Sequence, residues 1–247
     1  MTKVVISGPR GRMGQAIQRL ATGDDTLTIL ATLDSTSPPN ALEKLQDAAS
    51  AVLVEFTTPE ATLEHVKAAA ELGMNAIVGT TGFSLDQRAQ LERFANCIAL
   101  IVAPNTSVGV NVLLGVVQQL AGALPAYDIE LVEMHHRLKK DAPSGTAVAL
   151  AEAASKGRSV ALADVVKHGR EGLTGERPAG EIGIHSLRGG DVAGEHTMTF
   201  AGPGERIEIV HRAHSRDTFA AGALLAAKWL AGRKPGLYTM RDVLLPG

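Results

Sequence analysis

The segment Glu133-Met134-His135-His136-Arg137-Leu138-Lys139-Lys140-Asp141-Ala142-Pro143-Ser144-Gly145-Thr146 gathers the side chains best able to do chemistry in this sequence. Imidazole titrates near neutrality and suits general acid/base work, and lysine adds a cation that attracts anionic groups. His135, His136 and Lys139 are therefore the candidate chemical residues, while Arg137 and Lys140 read as a solvated basic loop. Adjacent imidazoles at a strand end also suit a metal, but no spaced acidic or cysteine partner completes a ligand set, so no metal is expected. The segment runs into a helix expected to reach about Ser155, whose start offers backbone N–H groups beside the Ser144 and Thr146 hydroxyls, with Gly145 allowing close approach. A cationic loop beside a helix N-terminus points to a small carboxylate-bearing substrate. The plainer alternative is a capping sequence, which explains Pro143 and Ser144 but not the histidines and lysine before them.

A second group of residues suits a dinucleotide. Gly8-Pro9-Arg10-Gly11-Arg12-Met13-Gly14 is a GxxGxxG turn between a strand and a helix, where backbone N–H groups can approach a pyrophosphate. Asp34 follows Gly14 by 20 residues at the end of the next strand, where a carboxylate can accept from ribose hydroxyls. Gly79-Thr80-Thr81-Gly82 and Ala103-Pro104-Asn105-Thr106 follow two further strands. Each alone reads as an ordinary turn, and their coincidence at strand C-termini suggests one shared crevice. Asp34 favours NADH by repelling a 2′-phosphate, while Arg10 or Arg12 in the turn would admit NADPH. With the uncharged Ser35 next to Asp34, NADH is expected to be used at least as well as NADPH.

The elements that must position these residues follow from periodicity. Val4–Ser7, Leu27–Leu33, Ala51–Phe56, Asn75–Val78 and Ile98–Ala103 are short aliphatic runs, and Met13–Ala21, Pro59–Leu72 and Ser84–Ala95 have helical spacing between them. This alternation implies a parallel sheet covered on both faces. Thr58-Pro59 and the Ser84/Gln87 capping box mark helix starts. After Asn105 the texture changes. Ser107–Ala123 reads as one longer helix, and Asp128–Met134, Glu181–Leu187, Glu195–Phe200 and Arg206–Arg212 read as a mostly antiparallel sheet joined by glycine-rich turns. This is expected to be a second domain. Asp217–Ala231 is helical again, with an apolar face that suggests a return to the first sheet. Gly157–Gly180 carries five glycines and little periodicity, as a long loop would.

Composition excludes other classes. Of 247 residues, 8 are aromatic and the net charge is −2, which leaves no field or stacking platform for nucleic acid. The length suits one large α/β domain or two smaller ones. No apolar run approaches the roughly 18 to 20 residues of a membrane span. With no signal-peptide pattern at the start and a single cysteine, a reducing, cytoplasmic setting is expected. Cys97, among aliphatic neighbours, is expected to be a buried structural thiol.

With these segments in view, the chain resembles the dihydrodipicolinate reductase (4-hydroxy-tetrahydrodipicolinate reductase) family. The matching stretches are Gly8–Gly14, Val54–Glu60, Val78–Phe83, Asn105–Asn111, His135–Thr146, Gly189–Thr197, His211–Leu230 and Gly236–Leu244, and the most specific is His-His-x-x-Lys-x-Asp-Ala-Pro-Ser-Gly-Thr. The resemblance implies an α/β fold: a Rossmann-like, doubly wound parallel sheet over residues 1–106 and 216–247, and a second α+β domain with a mixed sheet over 107–215. That second domain would bind substrate and form a homotetramer, with a hinge between the two. By the same resemblance His135 is the acid/base residue and Lys139 the cationic proton donor, while His136, Gly145 and Thr146 contact substrate carboxylates. NADH or NADPH would be held by Gly8, Pro9, Arg10, Gly11, Arg12, Met13, Asp34, Gly79, Thr80, Thr81, Ala103, Pro104, Asn105 and Thr106. The implied reaction reduces a small cyclic dicarboxylate, 4-hydroxy-tetrahydrodipicolinate, to tetrahydrodipicolinate on the diaminopimelate route to lysine. Two features depart from the family at the adenosine end: the segment from Asp34 to Val52 is short, and Ser35 replaces an often expected arginine. The alternatives are another oxidoreductase of amino-acid metabolism and a catalytically silent dinucleotide sensor, neither of which explains the His135–Thr146 run.

Overall fold

A computed structural model describes residues 1–38 and 40–245, and the chain divides into two compact units, Met1–Val108 with Arg216–Gly247, and Gly109–Ser215. The first unit begins with strand β1 (Thr2–Ser7), helix α1 (Arg12–Thr22), β2 (Leu27–Leu33), β3 (Ala51–Glu55), α2 (Pro59–Glu71), β4 (Asn75–Val78), α3 (Leu85–Arg93) and β5 (Ala99–Val102). In the second unit, helix α4 (Val108–Ala123) leads to β6 (Asp128–His135), α5 (Gly145–Gly157), α6 (Leu162–Val165), β7 (Val166–His168), β8 (Ile182–Arg188), β9 (Glu195–Gly202) and β10 (Glu205–Arg212). The chain then returns to the first unit with α7 (Asp217–Leu230), β11 (Gly236–Tyr238) and α8 (Met240–Leu244).

The first sheet is six-stranded and parallel throughout, in the order β11-β5-β4-β3-β1-β2. Side chains alternate across a strand, so successive aliphatic residues serve opposite faces. Val4, Ile6, Val52 and Val54 pack with Ile17 of α1 and Ala223, Ala227 and Leu230 of α7, while Val5 and Leu53 pack with Val66 and Leu91 on the other side. Chain order reverses between β1 and β3, and ligands of such sheets bind beyond the strand C-termini at that switch. The helix starts hold as the sequence implies. The Thr58 side chain accepts from Ala61 N–H, and Ser84 and Gln87 complete their reciprocal cap.

The second sheet has the order β10-β9-β6-β8-β7. Its β10/β9 and β9/β6 pairs are antiparallel, but β6/β8 and β8/β7 are parallel, which corrects the expectation of a mostly antiparallel sheet. β8 and β9, though joined by the Arg188–Asp191 turn, are separated by β6. Period-two patterning gives each strand's faces but not its neighbours, and β6 takes the centre. One face of this sheet packs Ile129, Leu131, Ile184, Met198 and Phe200 against Val117 and Ala121 of α4 and Leu150 and Ala154 of α5.

Two further expectations are corrected. The segment 157–180 contains α6 and β7, and Arg177 ties its later part to Asp128 (2.6 Å) and Glu130 (3.0 Å). A one-turn helix and a three-residue edge strand are too short to register as periodicity. Cys97 is exposed, because it closes the short helical turn Phe94–Asn96, one residue before the chain enters the core at Ile98.

Candidate active site

In the first unit, β1 delivers the glycine-rich turn to the switch point. A Cβ at Gly14 would lie 2.0 Å from the Gly8 carbonyl oxygen, so only glycine lets α1 start this close to the turn. Beside the turn lies a cavity of about 710 Å³, within the range of small-molecule sites. Gly8, Arg10, Gly11 and Asp34 line it, together with Thr57, Ala61, Glu64 and His65, which the sequence reading did not single out. Asp34 accepts from the Thr36 hydroxyl (2.6 Å) and backbone (2.8 Å), and these bonds, with the nearby Arg10 guanidinium, hold its carboxyl below the ordinary range. Arg10 Nη2 sits 2.9 Å from Asp34 Oδ2. Acid and base from the two motifs therefore face each other across one wall.

A buried carboxylate organises the loops next to that cavity. Glu55, at the end of β3 and fully buried, accepts from the Thr57 hydroxyl and lies 2.8 Å from His65 Nδ1. Hydrogen bonding to Glu55 pulls the His65 pKa up against the opposing effect of burial. Thr62 donates to Thr80 Oγ1 (2.8 Å), which also accepts from Thr57 N–H (3.1 Å). Thr80 is thereby fixed to the loop after β3, and Thr57 carries the link to the cavity wall. Gly79 and Ala103 bond to neighbouring strand ends through Glu55 and Val78 carbonyls, and Thr106 donates to the Phe219 carbonyl of α7. Pro9, Arg12, Met13, Gly79 to Thr81 and Ala103 to Thr106 stand outside the walls of the cavity itself.

The second unit holds the histidines and lysine. Along β6 the inward face reads Ile129, Leu131, Glu133, His135, so an apolar face turns polar as the strand ends. Glu133 Oε2 lies 2.5 Å from His135 Nδ1 and accepts from Arg188 Nη1 at 2.9 Å, while Oε1 accepts from Ser144 N–H at 3.3 Å. Parallel pairing sets Arg188 beside His135, and antiparallel pairing sets His196 opposite Glu133. Burial works to raise the Glu133 carboxyl, but hydrogen bonds from Arg188 and His135 outweigh it and the pKa is lowered. For His135, burial is the largest influence and lowers its pKa. Glu133 opposes that shift, and the cations Lys139 and Arg188 add to it. His135 is thus neutral near pH 7, with Nδ1–H directed to Glu133 and Nε2 left to exchange a proton. A Cβ at Gly194 would meet that Nε2 at 3.0 Å, so glycine leaves this nitrogen uncovered.

Ser144 is the N-cap of α5, its hydroxyl accepting from Ala147 N–H at 3.2 Å, and Gly145 and Thr146 form the first turn. Lys139 Nζ contacts both Asp141 carboxylate oxygens at 2.9 Å. Arg188 also donates to the Asp141 carbonyl (2.7 Å), holding the loop between His135 and α5. His136 donates its backbone N–H to the Val192 carbonyl. Arg137 and Lys140 are exposed. His135, Lys139, Gly145 and Thr146 are therefore drawn together around a buried Glu133. Glu133, Arg188 and His196 are the residues the sequence reading missed. Glu133 was signalled by its place two residues before His135 on the same strand face, whereas the other two come from strands whose register no local pattern reveals.

Family models described as dihydrodipicolinate reductase, N-terminus, and dihydrodipicolinate reductase, C-terminus, match residues 2–106 and 109–244. A protein named 4-hydroxy-tetrahydrodipicolinate reductase from Nitratidesulfovibrio vulgaris is 48% identical over 98% of this chain and 99% of its own length. One of the same name from Rubrobacter xylanophilus is 48% identical over 99% and 98%. A solved dipicolinate-bound dihydrodipicolinate reductase from Paenisporosarcina sp. TG-14 superposes with a TM-score of 0.74 at 25% identity, over 99% of this chain and 100% of that one. A myo-inositol dehydrogenase from Corynebacterium glutamicum, at 13% identity and a TM-score of 0.58 over 99% and 93% of the two chains, shares the fold alone.

Proposed function

The chain belongs to the dihydrodipicolinate reductase family, and from that premise we propose that it reduces 4-hydroxy-tetrahydrodipicolinate to tetrahydrodipicolinate with loss of water, on the diaminopimelate route to lysine. The observation that carries the proposal is the buried Glu133–His135 pair beside Lys139 and the start of α5. A bound nicotinamide dinucleotide supplies the reducing equivalent. The glycine-only approach of α1 to its turn and the cavity walled by Asp34 fit such a group, with Gly8 to Met13, Asp34, Gly79 to Thr81 and Ala103 to Thr106 as the residues that would hold it.

The chain's own residues then manage charge and protons. The N–H groups of Gly145 and Thr146, with His136, hold substrate carboxylates at the positive end of α5. Lys139 lends its cation to the negative charge that develops on the ring and gives the ring its proton, while Asp141 keeps Nζ in place. Neutral His135 Nε2 takes a ring proton, and the imidazolium, steadied by Glu133, returns that proton to the departing hydroxyl, which leaves as water. Both His135→Ala and Lys139→Ala are expected to depress kcat by about a hundredfold or more while leaving dinucleotide affinity near the wild-type value. Unchanged turnover in both variants would refute the roles.

Asp34 with its Arg10 partner, next to an uncharged Ser35, supports use of NADH at least as readily as NADPH. The face of the second sheet opposite α4 and α5 leaves Val132 and Leu187 exposed by 38% and 49%, an apolar surface suited to another copy of the chain. A homotetramer assembled through it is the proposed state, and light scattering after gel filtration measures it. No helix among the described residues is long and apolar enough to cross a membrane. The proposed compartment is the cytoplasm, consistent with a single cysteine.

A further inference from the structure

We propose that His196 is a positioning residue of this site, holding with one imidazole both the carboxylate-binding start of α5 and the ring of His135. The proposal rests on the dicarboxylate reading above. His196 lies on β9, directly opposite Glu133 of β6 and His211 of β10, and is 4% exposed. Its Nε2 is 3.0 Å from Ser144 Oγ, and its ring meets that of His135 edge to face, with centroids 5.2 Å apart and planes at 75°.

The direction of the Ser144 bond follows from proton accounting. His196 Nδ1 is buried and has no partner among the described residues. A buried N–H without an acceptor is rarer and more costly than a buried lone pair without a donor, so the proton belongs on Nε2, where Ser144 Oγ accepts it. That hydroxyl then accepts twice, from His196 and from Ala147 N–H, and its own proton is left for a third group. At the mouth of α5, beside Gly145 and Thr146, such a proton suits a substrate carboxylate oxygen. A histidine accepting from Ser144 instead would consume the proton and leave the serine with nothing to offer.

His196 can act as this fixed donor because it remains neutral. Burial above all, and then the charge that His135 carries once protonated, press its pKa down to about 3. The groups facing it are Glu133 and His135 on β6, His211 on β10 with ring centroids 6.4 Å apart, and Lys139 in the loop before α5, while Arg188 on β8 acts on His135 from the far side. His135 is confined between the Glu133 carboxylate and the His196 ring. Removing that ring admits water to His135 and relieves the burial that depresses its pKa.

The two roles separate by substitution. His196→Phe keeps a packed ring and loses the bond to Ser144. It is expected to raise KM for the dicarboxylate about tenfold, the worth of one lost hydrogen bond, with kcat and its pH profile unchanged. His196→Asn keeps an N–H for Ser144 and loses the ring, so KM should stay near wild type while the His135 limb of the kcat profile moves to higher pH. Ser144→Ala removes the same bond without touching the ring, should reproduce the KM effect, and serves where His196→Phe fails to fold. Equal changes in the Phe and Asn variants, or a wild-type KM in Ser144→Ala, overturn the proposal. A wild-type enzyme that binds dinucleotide but shows no dicarboxylate-dependent oxidation instead overturns the reading beneath it.

Discussion

Replacing Glu133 by glutamine should cripple the reaction and cost some stability, because its amide NH2 would face Arg188 and His135 Nδ1–H where Oε2 accepts. Glutamine has the same shape, and its amide oxygen can still accept from Ser144 N–H, as Glu133 Oε1 does at 3.3 Å. What disappears is the negative charge 2.5 Å from His135 Nδ1 and 2.9 Å from Arg188 Nη1. A hydrogen bond to a charged partner contributes about 1.5 to 3 kcal/mol. Coulomb's law for unit charges about 4 Å apart, at an effective dielectric near 20, gives about 4 kcal/mol as the upper bracket. That stabilisation is needed when His135 becomes imidazolium, so kcat should fall by about ten- to a thousandfold, at 1.4 kcal/mol per decade. Glu133 is also the group that opposes the effect of burial on His135, and without it Arg188 is left unbalanced, so the pKa of His135 falls further. The acid limb of the pH–rate profile should therefore move to lower pH. Steady-state kinetics at saturating dinucleotide, with dinucleotide affinity and Tm as controls, make the measurement. A kcat within about twofold of wild type and an unmoved limb would show that the carboxylate does not support the imidazole.

Other perturbations report on other links. Gly14→Ala places a Cβ 2.0 Å from the Gly8 carbonyl oxygen, so dinucleotide affinity should drop at least about tenfold with a loss of Tm; binding titration and calorimetry check both. Asp34→Ala removes the carboxylate that would repel a 2′-phosphate and releases Arg10 from its 2.9 Å partner, so the NADPH to NADH ratio of kcat/KM should rise about tenfold or more. The stability of the fold should also carry the mark of His196. Its folded pKa is about 3, below the unfolded value near 6.5, so the unfolded chain binds the extra proton between them. Its contribution is complete above about pH 6.5 and is lost as pH falls towards 3, at about 1.4 kcal/mol per pH unit. Tm measured against pH should therefore fall more steeply for wild type than for His196→Asn over that window.

Much of the first unit was legible because its signals are local. Val4, Val5 and Ile6 are apolar on both faces, as a strand between two helix layers must be, and Thr58-Pro59 and Ser84/Gln87 announce helix starts with their own side chains. His135 and Lys139 stood out by type. Glu133 is legible as well, since a strand puts it on the same face as His135, but its single carboxylate is masked by the run of basic residues that follows. Arg188 and His196 depend on β8 and β9 flanking β6, and strand order arises from long-range pairing that leaves no local trace. The same holds for the cavity wall at Thr57 and His65, which forms only where β3 lies beside β1. Cys97 is exposed despite its aliphatic neighbours, because they report where the strand goes and not where the preceding turn leaves its side chain.

Glu133-supported His135, with Lys139, is proposed to make a dinucleotide-binding chain a reductase of a cyclic dicarboxylate. The most direct test of this role follows the oxidation of NADH and of NADPH, separately, on addition of freshly generated 4-hydroxy-tetrahydrodipicolinate to the purified protein. Oxidation should depend on the dicarboxylate, saturate with it, and proceed with NADH at least as well as with NADPH. A protein that binds either dinucleotide yet oxidises neither when the dicarboxylate is added would contradict that role.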